Sequence, residues 1–386
     1  MTNFYFNDVQ LLDIELSNRC NAACPMCARN IHGWSINPRL KLDELTLDDI
    51  KNIDKKYLKQ LDTINISGDY GDPLTNSNVV NIIEYFLKHT TARMIIHTNG
   101  GVRSSTVWEQ LGKLSAAREH FEIRFAIDGL ADTNHIYRIG VHWQMLMENV
   151  KTFISNGGNA TWIFLVFFHN QHQIDEASRL AKDLGFNSFR TVVSDRFRAD
   201  NFPVYNKAGE LAYNIFPSVV DINEYSQFNH RKESSLNVKK KQNNKGYEYL
   251  RRIAKPFVNL TSKALVNMLN KEDKHSPQPS LNCYALADKR LYIDANGYVF
   301  PCNNLGYIHS WANKADHFTE QIVNELNKHT QTNIKTDKLS NIINGSWFKY
   351  IYETWQAATI NDGRFIMCSY TCGKRGVHKM IKEHKL

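Results

Sequence analysis

Residues 11–30 read LLDIELSNRCNAACPMCARN, and this stretch decides the predicted fold. An apolar run at 11–16 predicts a buried strand, and a polar loop carrying Cys20, Cys24 and Cys27 follows it directly. Buried free cysteines are common, but three within eight residues of a polar loop are better explained as metal ligands. A zinc knuckle would need a second pair nearby, and the next cysteine is Cys283. The C-x3-C-x2-C spacing therefore indicates three protein ligands and one position open to another ligand.

Size and composition are those of an ordinary globular protein. The chain has 386 residues, of which 42% are hydrophobic and 22% charged, so two or more domains fit. The first residues, MTNFYFNDVQ, lack the basic start and apolar core of a signal peptide. No apolar run is long enough to cross a bilayer. We therefore expect a cytoplasmic protein with no membrane partner, whose net charge of +8 allows an anionic substrate, a nucleic acid or a solvated surface.

Short apolar runs alternate with amphipathic stretches from residue 11 to about residue 194, a pattern typical of strand-helix units around a parallel sheet. Six units fit a partial (β/α)6 TIM-type barrel better than a closed eight-fold one. The predicted strands are 11–16, 63–67, 93–97, 122–127, 161–168 and 188–193, and the predicted helices are 46–60, 76–89, 104–117, 143–155 and 174–184.

Glycine-rich polar segments follow several of these strands. They are SGDYGDPL at 67–74, TNGG at 98–101 and Asp128-Gly129, with Arg138 a short way on. Each alone could be a plain turn, but ligand sites in such sheets lie at the carboxyl ends of the strands. We therefore expect these segments to meet on the same rim as the cysteine loop.

The periodicity is lost after about residue 198. The stretch 231–255 holds nine Lys or Arg against Glu233 and Glu248. It is interpreted either as a solvated connector or as a contact for RNA or an acidic peptide, although no RNA-binding motif supports the second reading. A short amphipathic helix is predicted at 257–269. The predicted domains are a barrel at 1–200, a basic connector at 201–280 and a small α+β domain at 281–386.

The last segment contains a predicted hairpin at 291–300, where Asn296-Gly297 suits a tight turn. Helices are predicted at 318–328 and 346–356. Four cysteines remain, and in two pairs they permit either structural zinc or a second iron-sulfur cluster. They are Cys283, Cys302, Cys368 and Cys372, so the seven cysteines divide into a set of three and a set of four.

The early cysteine loop resembles the signature of radical S-adenosylmethionine (radical SAM) enzymes, and the later four cysteines resemble the auxiliary-cluster domain called SPASM or twitch. The resemblance implies that Cys20, Cys24 and Cys27 hold a [4Fe-4S] cluster whose open iron is chelated by S-adenosylmethionine. Reductive cleavage would give a 5'-deoxyadenosyl radical that abstracts hydrogen from a substrate. The four later cysteines would hold an auxiliary [4Fe-4S] cluster with no open iron, suited to electron transfer. A flavodoxin or ferredoxin would donate electrons.

The resemblance also implies roles for residues on the rim. Gly71-Asp72-Pro73 stands in the place of a Gly-Gly-Glu-Pro motif, so Asp69 or Asp72 would contact the cofactor's amino group. Ala126 stands where relatives have serine before the matching Asp128. The predicted cofactor-binding set is Met26 near the adenine, Arg138 at the methionine carboxylate, and Asp69, Gly71, Asp72, Asn99 and Asp128.

The expected function is oxidation or cross-linking of a peptide or protein. Ten residues precede the first strand, so a peptide substrate would need a separate recognition protein rather than a fused leader-binding domain. The alternatives are a small-molecule dehydrogenase acting on an amino sugar or cyclitol alcohol, an RNA-modifying radical SAM enzyme, and a non-catalytic metal-binding module. The fifteen histidines lack ligand spacing, and none is assigned as a general base.

Overall fold

The computed structural model describes residues 8–194, 196–197, 199–222, 228–229, 281, 283–306 and 317–372. Nine of the described strands form the central sheet, and the six parallel strands of the predicted units lie side by side within it. In chain order the strands are β1 (Leu11–Glu15), β2 (Asn30–Ile31), β3 (Ser35–Ile36), β4 (Thr63–Ser67), β5 (Arg93–Thr98), β6 (Phe121–Ala126), β7 (Ala160–Val166), β8 (Ser188–Val193), β9 (Phe202–Tyr205), β10 (Leu211–Ile215), β11 (Phe228–Asn229), β12 (Arg290–Ile293) and β13 (Val299–Phe300).

The described helices either connect the parallel strands or belong to the last segment of the chain. They are α1 (Leu47–Lys51), α2 (Lys55–Gln60), α3 (Val79–His89), α4 (Ser105–Ala116), α5 (Asn134–Tyr137), α6 (Trp143–Ser155), α7 (Ile174–Asp183), α8 (Tyr284–Ala287), α9 (Asn303–Gly306), α10 (His317–Leu326), α11 (Leu339–Asn344), α12 (Ser346–Gln356) and α13 (Ile366–Cys372). The mixed α/β architecture is that of a partial barrel, and all six predicted strands are confirmed within one or two residues.

The strands are two-faced in a way that explains the barrel. On the outer face, residues such as Ile14, Ile66 and Phe125 are completely buried under the helices. Successive side chains alternate across a strand, so the intervening positions point to the inner face, where Asp13 and Asn65 are hydrogen bonded across neighbouring strands. The interior of the barrel is therefore polar where the outer layer is apolar.

One predicted helix is wrong. The stretch 46–60 was expected to be continuous, but it forms α1 and α2. Thr46 begins α1 with a capping box to Asp49, and Asn52 ends it. The Asn52 side-chain amide donates to the carbonyl of Ile334, 2.8 Å away, so a contact with the last segment accompanies this early end.

The predicted hairpin near 291–300 is confirmed as β12 and β13, which pair antiparallel around Gly297 at φ +91°. The sequence did not reveal that β12 also pairs in parallel with β1 and so extends the barrel sheet. The predicted helices near 318–328 and 346–356 correspond to α10 and α12. The basic stretch 231–255 and the predicted helix 257–269 lie outside the described residues. Among the helices that are described, none is long and apolar enough to cross a bilayer.

Candidate active site

A cavity of about 340 Å³ opens at the carboxyl ends of the parallel strands. Three arginines, Arg29, Arg138 and Arg196, contribute positive charge to its wall. Most of the residues that the sequence predicts for a cofactor site line it, namely Cys20, Cys24, Cys27, Asp69, Gly71, Asp72, Asn99 and Arg138. The expectation that the strand-end segments meet beside the cysteine loop is therefore met.

The cysteine loop is held by its own backbone. The N–H of Cys27 donates to the carbonyl of Cys24 at 3.1 Å, and the side chain of Asn30 donates to the same carbonyl at 3.2 Å. All three thiols are free. Burial raises the pKa of Cys20, and it raises the pKa of Cys24 to about 11 even though Arg138 opposes the shift. Metal binding would therefore have to displace protons from these thiols.

The three thiols of the cysteine loop are the candidate ligands of an iron-sulfur cluster. Among the described residues, no three His, Cys, Asp or Glu side chains converge as they would around one metal ion. In an iron-sulfur cluster each cysteine binds its own iron, and all three cysteines line the cavity. The residues that would hold it are Cys20, Cys24 and Cys27.

Glu15, which the sequence reasoning missed, anchors the glycine-rich loop after β4. Its carboxylate is buried and accepts hydrogen bonds from the backbone N–H of Tyr70 at 2.5 Å and of Gly71 at 3.0 Å. A Cβ on Gly71 would stand 2.2 Å from the carbonyl oxygen of Ser17, which immediately precedes the cysteine loop. The sequence signal that could have revealed Glu15 is an acidic residue inside an apolar strand. The loop can approach the cysteine segment this closely only because residue 71 is glycine.

The carboxylate of Asp72 joins two neighbouring segments of the protein by hydrogen bonds. One carboxylate oxygen accepts from the N–H of Leu74 at 3.0 Å, the other from the N–H of Asn99 at 2.8 Å, and the Thr98 hydroxyl contacts both. Asp69 lies on the cavity wall, and its carbonyl oxygen is 4.0 Å from the Cys27 sulfur. The oxygens of Asp72 therefore already have partners within the protein, and the predicted contact of Asp69 or Asp72 with the cofactor's amino group stays a prediction.

Asn99 and Arg138 both contact thiols. The Asn99 amide lies 3.6 Å from the Cys20 sulfur, and Arg138 Nη1 lies 3.7 Å from the Cys24 sulfur. Arg138 Nε also donates to Asp128 at 2.6 Å, and Asp128 accepts the backbone N–H of Leu165 at 2.8 Å. Asp128 is fully buried behind Arg138 and does not line the cavity. Its place in the predicted set is therefore that of a partner for Arg138.

Met26 is buried next to the cavity and does not line it. Its sulfur is 4.0 Å from the hydroxyl of Ser194, which does line the cavity. The carbonyl of Met26 accepts a hydrogen bond from Arg196 at 2.9 Å. The predicted packing of Met26 against adenine is not tested by these contacts and stays a prediction.

A second site lies in the last segment. Cys283 precedes α8, Cys302 follows β13, and Cys368 and Cys372 are one turn apart on α13. All four line a cavity of about 10 Å³, together with Tyr284, Trp355 and Met367 among others. A hydrogen bond with Cys372 and burial raise the pKa of Cys283, and burial raises that of Cys302 to about 11. The four cysteines thus meet as the sequence predicts, whereas their role as metal ligands stays a prediction.

Comparison with known proteins identifies the first half of the chain. Residues 14–192 match the model of the Radical SAM superfamily. Over 180 residues, 45% of this chain, the sequence is 25% identical to GTP 3',8-cyclase of Trichodesmium erythraeum (strain IMS101). The chain spans about half of that relative's length, 53%.

Solved structures with a similar fold cover most of the chain. Streptococcus suis SuiB bound to precursor peptide SuiA is 13% identical, with a TM-score of 0.49 over 89% of this chain and 66% of that one. The enzyme anSMEcpe with bound AdoMet is 13% identical, with a TM-score of 0.49 over 98% and 91%. BtrN in complex with AdoMet and 2-DOIA is 10% identical, with a TM-score of 0.40 over 95% of each chain. Overlaps at this level carry no information about substrate.

Proposed function

We propose that this chain, whose residues 14–192 form a radical SAM domain, is an enzyme that oxidises or cross-links a peptide or protein. When bound, the [4Fe-4S] cluster and S-adenosylmethionine supply a 5'-deoxyadenosyl radical that takes a hydrogen atom from the substrate. The observation that supports a peptide substrate is a set of exposed apolar side chains on segments that adjoin a narrow cavity, called the apolar rim below.

The size of the cavity limits how much of a substrate can enter. Its volume of about 340 Å³ is near the lower end of cavities that hold one small ligand. S-adenosylmethionine would occupy much of that space, with Arg138 and Asp69 within reach of its charged groups. Only a side chain or a short segment of a second molecule then fits beside it. A large substrate that inserts one residue meets this restriction.

The apolar rim consists of Trp34, Ile36, Phe168, Phe216 and Val219, which are 42% to 72% exposed. Trp34 and Ile36 follow Asn30 of the cavity wall, and Phe168 lies just beyond the end of β7. The N–H of Phe168 donates to the carbonyl of Phe216 at 3.1 Å, which joins the two parts of that side of the rim. Exposed apolar groups that cluster beside a site are typical of protein or peptide contacts.

The four later cysteines support an electron-transfer role for the second site. The four cysteines surround a cavity of about 10 Å³, and its accessible lining is apolar. A cluster held there by Cys283, Cys302, Cys368 and Cys372 would have every position taken by protein. We propose that a cluster held by these cysteines would supply an acceptor for one electron of the substrate radical. The substrate would release a proton together with this electron, so that it loses two hydrogen atoms in total.

The first test uses the reconstituted protein under anaerobic conditions. Wild-type protein should bind about eight irons per chain and release 5'-deoxyadenosine from S-adenosylmethionine when a reductant is added. Zinc-loaded protein that releases none would contradict the enzyme assignment.

The substrate class is tested in cells that express either the wild-type chain or Cys24→Ala. We expect a peptide or protein that has lost two hydrogen atoms only in the wild-type cells, by mass spectrometry. The double variant Trp34→Glu, Phe168→Glu should lose this product and still cleave S-adenosylmethionine. Lys88→Glu, an exposed position at the end of α3 that leads into β5, is the matched control. A mass change confined to small metabolites or to RNA would contradict a peptide substrate.

A further inference from the structure

A chain of hydrogen bonds crosses the inner face of the barrel below the cavity. Arg290 on β12 donates to Asp13 on β1 at 2.7 Å. The other oxygen of Asp13 accepts the side-chain amide of Asn65 on β4 at 2.8 Å. The amide oxygen of Asn65 is 3.0 Å from Nε2 of His97 on β5. Four neighbouring strands thus contribute one side chain each, and the chain ends at His97, which lines the cavity.

This chain determines which nitrogen of His97 carries its proton. A carboxylate only accepts hydrogen bonds, so the Asn65 NH2 group must face Asp13 and the Asn65 oxygen must face His97. An amide oxygen is also only an acceptor, so Nε2 of His97 must be the protonated nitrogen. Nδ1 is then left with a lone pair and no proton. Within the part of the chain that the structure describes, no hydrogen bond is made to Nδ1 of His97.

His97 is also neutral at physiological pH. Burial and the nearby Arg124 lower its pKa to about 4, although Glu122 acts in the opposite direction. Nε2 of this uncharged imidazole already donates to Asn65. The other nitrogen, Nδ1, can therefore only accept a hydrogen bond.

We propose that Nδ1 of His97 accepts a hydrogen bond from the substrate group that enters the cavity. The inserted group therefore carries a donor, a hydroxyl or an amide N–H, rather than an aliphatic end. This inference rests on the proposed function, since it assigns a polar side chain to the peptide that the rim would bind. Asn65, Asp13 and Arg290 are positioning residues, because they act on the substrate only through the tautomer of His97.

A purely structural histidine is the competing explanation, and the cavity argues against it. In a purely structural core histidine both ring nitrogens usually have hydrogen-bond partners, because a buried polar atom without a partner costs folding free energy. His97 has one satisfied nitrogen and borders a cavity that also contains Thr98 and Asn99. His97 lines the same cavity as the cysteine loop, so a group that enters this cavity can reach it.

The test uses two capped peptides of equal shape, acetyl-Gly-Thr-Gly-amide and acetyl-Gly-Val-Gly-amide, which differ by one hydroxyl. Binding to reconstituted enzyme saturated with S-adenosylmethionine is measured by isothermal titration calorimetry. Wild-type protein should bind the threonine peptide about tenfold more tightly than the valine peptide, the usual effect of one hydrogen bond in a desolvated site. His97→Leu should abolish the difference, and His97→Gln, whose amide can both donate to Asn65 and accept from a ligand, should restore most of it.

Two further measurements separate this proposal from others. His89→Leu changes a histidine on α3 that is bonded to the Tyr85 carbonyl, outside the cavity, and should keep the tenfold preference. The affinity of His97→Leu for S-adenosylmethionine should stay within about twofold of wild type. A larger loss would mean that the cofactor provides the donor and would contradict the proposal.

Equal binding of the two peptides to wild-type protein, or no measurable binding of either, would also contradict the proposal. Release of 5'-deoxyadenosine in the same preparations reports on the proposed function separately. Protein that makes 5'-deoxyadenosine and shows no threonine preference would retain the enzyme assignment and lose the role of His97.

Discussion

The two sets of cysteines differ in where their sulfurs come from and in what surrounds them. Cys20, Cys24 and Cys27 lie on one loop at the edge of a polar cavity of about 340 Å³. The four later cysteines come from three separate segments between residues 283 and 372 and enclose about 10 Å³ with an apolar lining. The two sites therefore differ in open space and in the polarity of their lining.

The surroundings differ as much as the volumes. Arg138 and Asn99 direct nitrogen donors at Cys24 and Cys20 within 3.7 Å and 3.6 Å. The four later cysteines have Trp355 and Met367 beside them, and Cys302, Cys368 and Cys372 are buried. Hydrogen bonds and solvent exposure set the reduction potential of an iron-sulfur cluster. We therefore expect clusters bound at the two sites to differ in reduction potential.

The largest effect should come from removing a ligand at the open site. In Cys24→Ala we expect 5'-deoxyadenosine release to fall to background and bound iron to fall from about eight to about four per chain. The measurement is anaerobic turnover with iron and sulfide analysis of the same sample. Retained cofactor cleavage in this variant would place the radical chemistry elsewhere and remove the distinction between the two sites.

Cys372→Ala removes one of the four predicted ligands at the second site and tests the role of that site separately. This variant should also lose about four irons per chain, but it should still cleave S-adenosylmethionine in the presence of a strong reductant. Formation of the oxidised product should disappear. Full product formation with the second cluster lost would contradict the electron-transfer role, and iron analysis tells a lost cluster from a retained one.

Arg138→Met should show how far the polar surroundings of the open site depend on one ion pair. Arg138 pairs with Asp128 at 2.6 Å, and the Asp128 side chain is completely buried. Removing the guanidinium leaves an uncompensated buried carboxylate, which typically costs about 3–5 kcal/mol of unfolding free energy. Urea denaturation at equal iron content measures this loss.

Two matched variants test whether the buried carboxylate is the cause of the lost unfolding free energy. The double variant Arg138→Met, Asp128→Asn should recover part of the lost stability, because no buried charge remains. Arg93→Met removes a partner of Glu122 whose own side chain is 45% exposed, and should cost less than about 1 kcal/mol. Similar losses in Arg93→Met and Arg138→Met would rule out burial as the reason.

The smallest effect concerns His97, which lines the cavity at the open site. The pKa of His97 is about 4 in the folded protein, against 6.5 for an unperturbed histidine. As pH falls below 6.5, His97 binds a proton in the unfolded chain, whereas in the folded protein it stays unprotonated until about pH 4. The free energy of unfolding therefore decreases between these two pH values. The decline attributable to His97 is on the order of 3 kcal/mol.

The measurement compares denaturation curves of wild type and His97→Gln between pH 7 and pH 4, because Glu122, Arg124 and other groups are common to both proteins. We expect the difference in unfolding free energy to change in favour of the variant as pH falls. Parallel pH profiles would mean that His97 titrates normally in the folded state.

Much of the fold could be predicted because its signals are local. The six strands follow from short apolar runs, and the C-x3-C-x2-C loop can be recognised without knowing what lies near it. The single predicted helix at 46–60 was wrong because Asn52 ends α1 and bonds to Ile334, a contact 282 residues away in sequence. Glu15 was missed for a related reason, since its carboxylate acts on Tyr70 and Gly71 across 55 and 56 residues.

The sequence by itself determined the partial barrel, the place of the cysteine loop at the end of β1, and the division of the cysteines into three and four. Tertiary structure alone decided that β12 pairs with β1, that the Asp72 carboxylate is hydrogen bonded within the protein, and that Asp13, Asn65 and His97 form one hydrogen-bonded chain. Periodicity records which face of an element is buried, so it can be read from neighbours in the chain. Strand register and side-chain partners depend on residues as far apart as Asp13 and Arg290, 277 positions, and only the packed molecule brings these together.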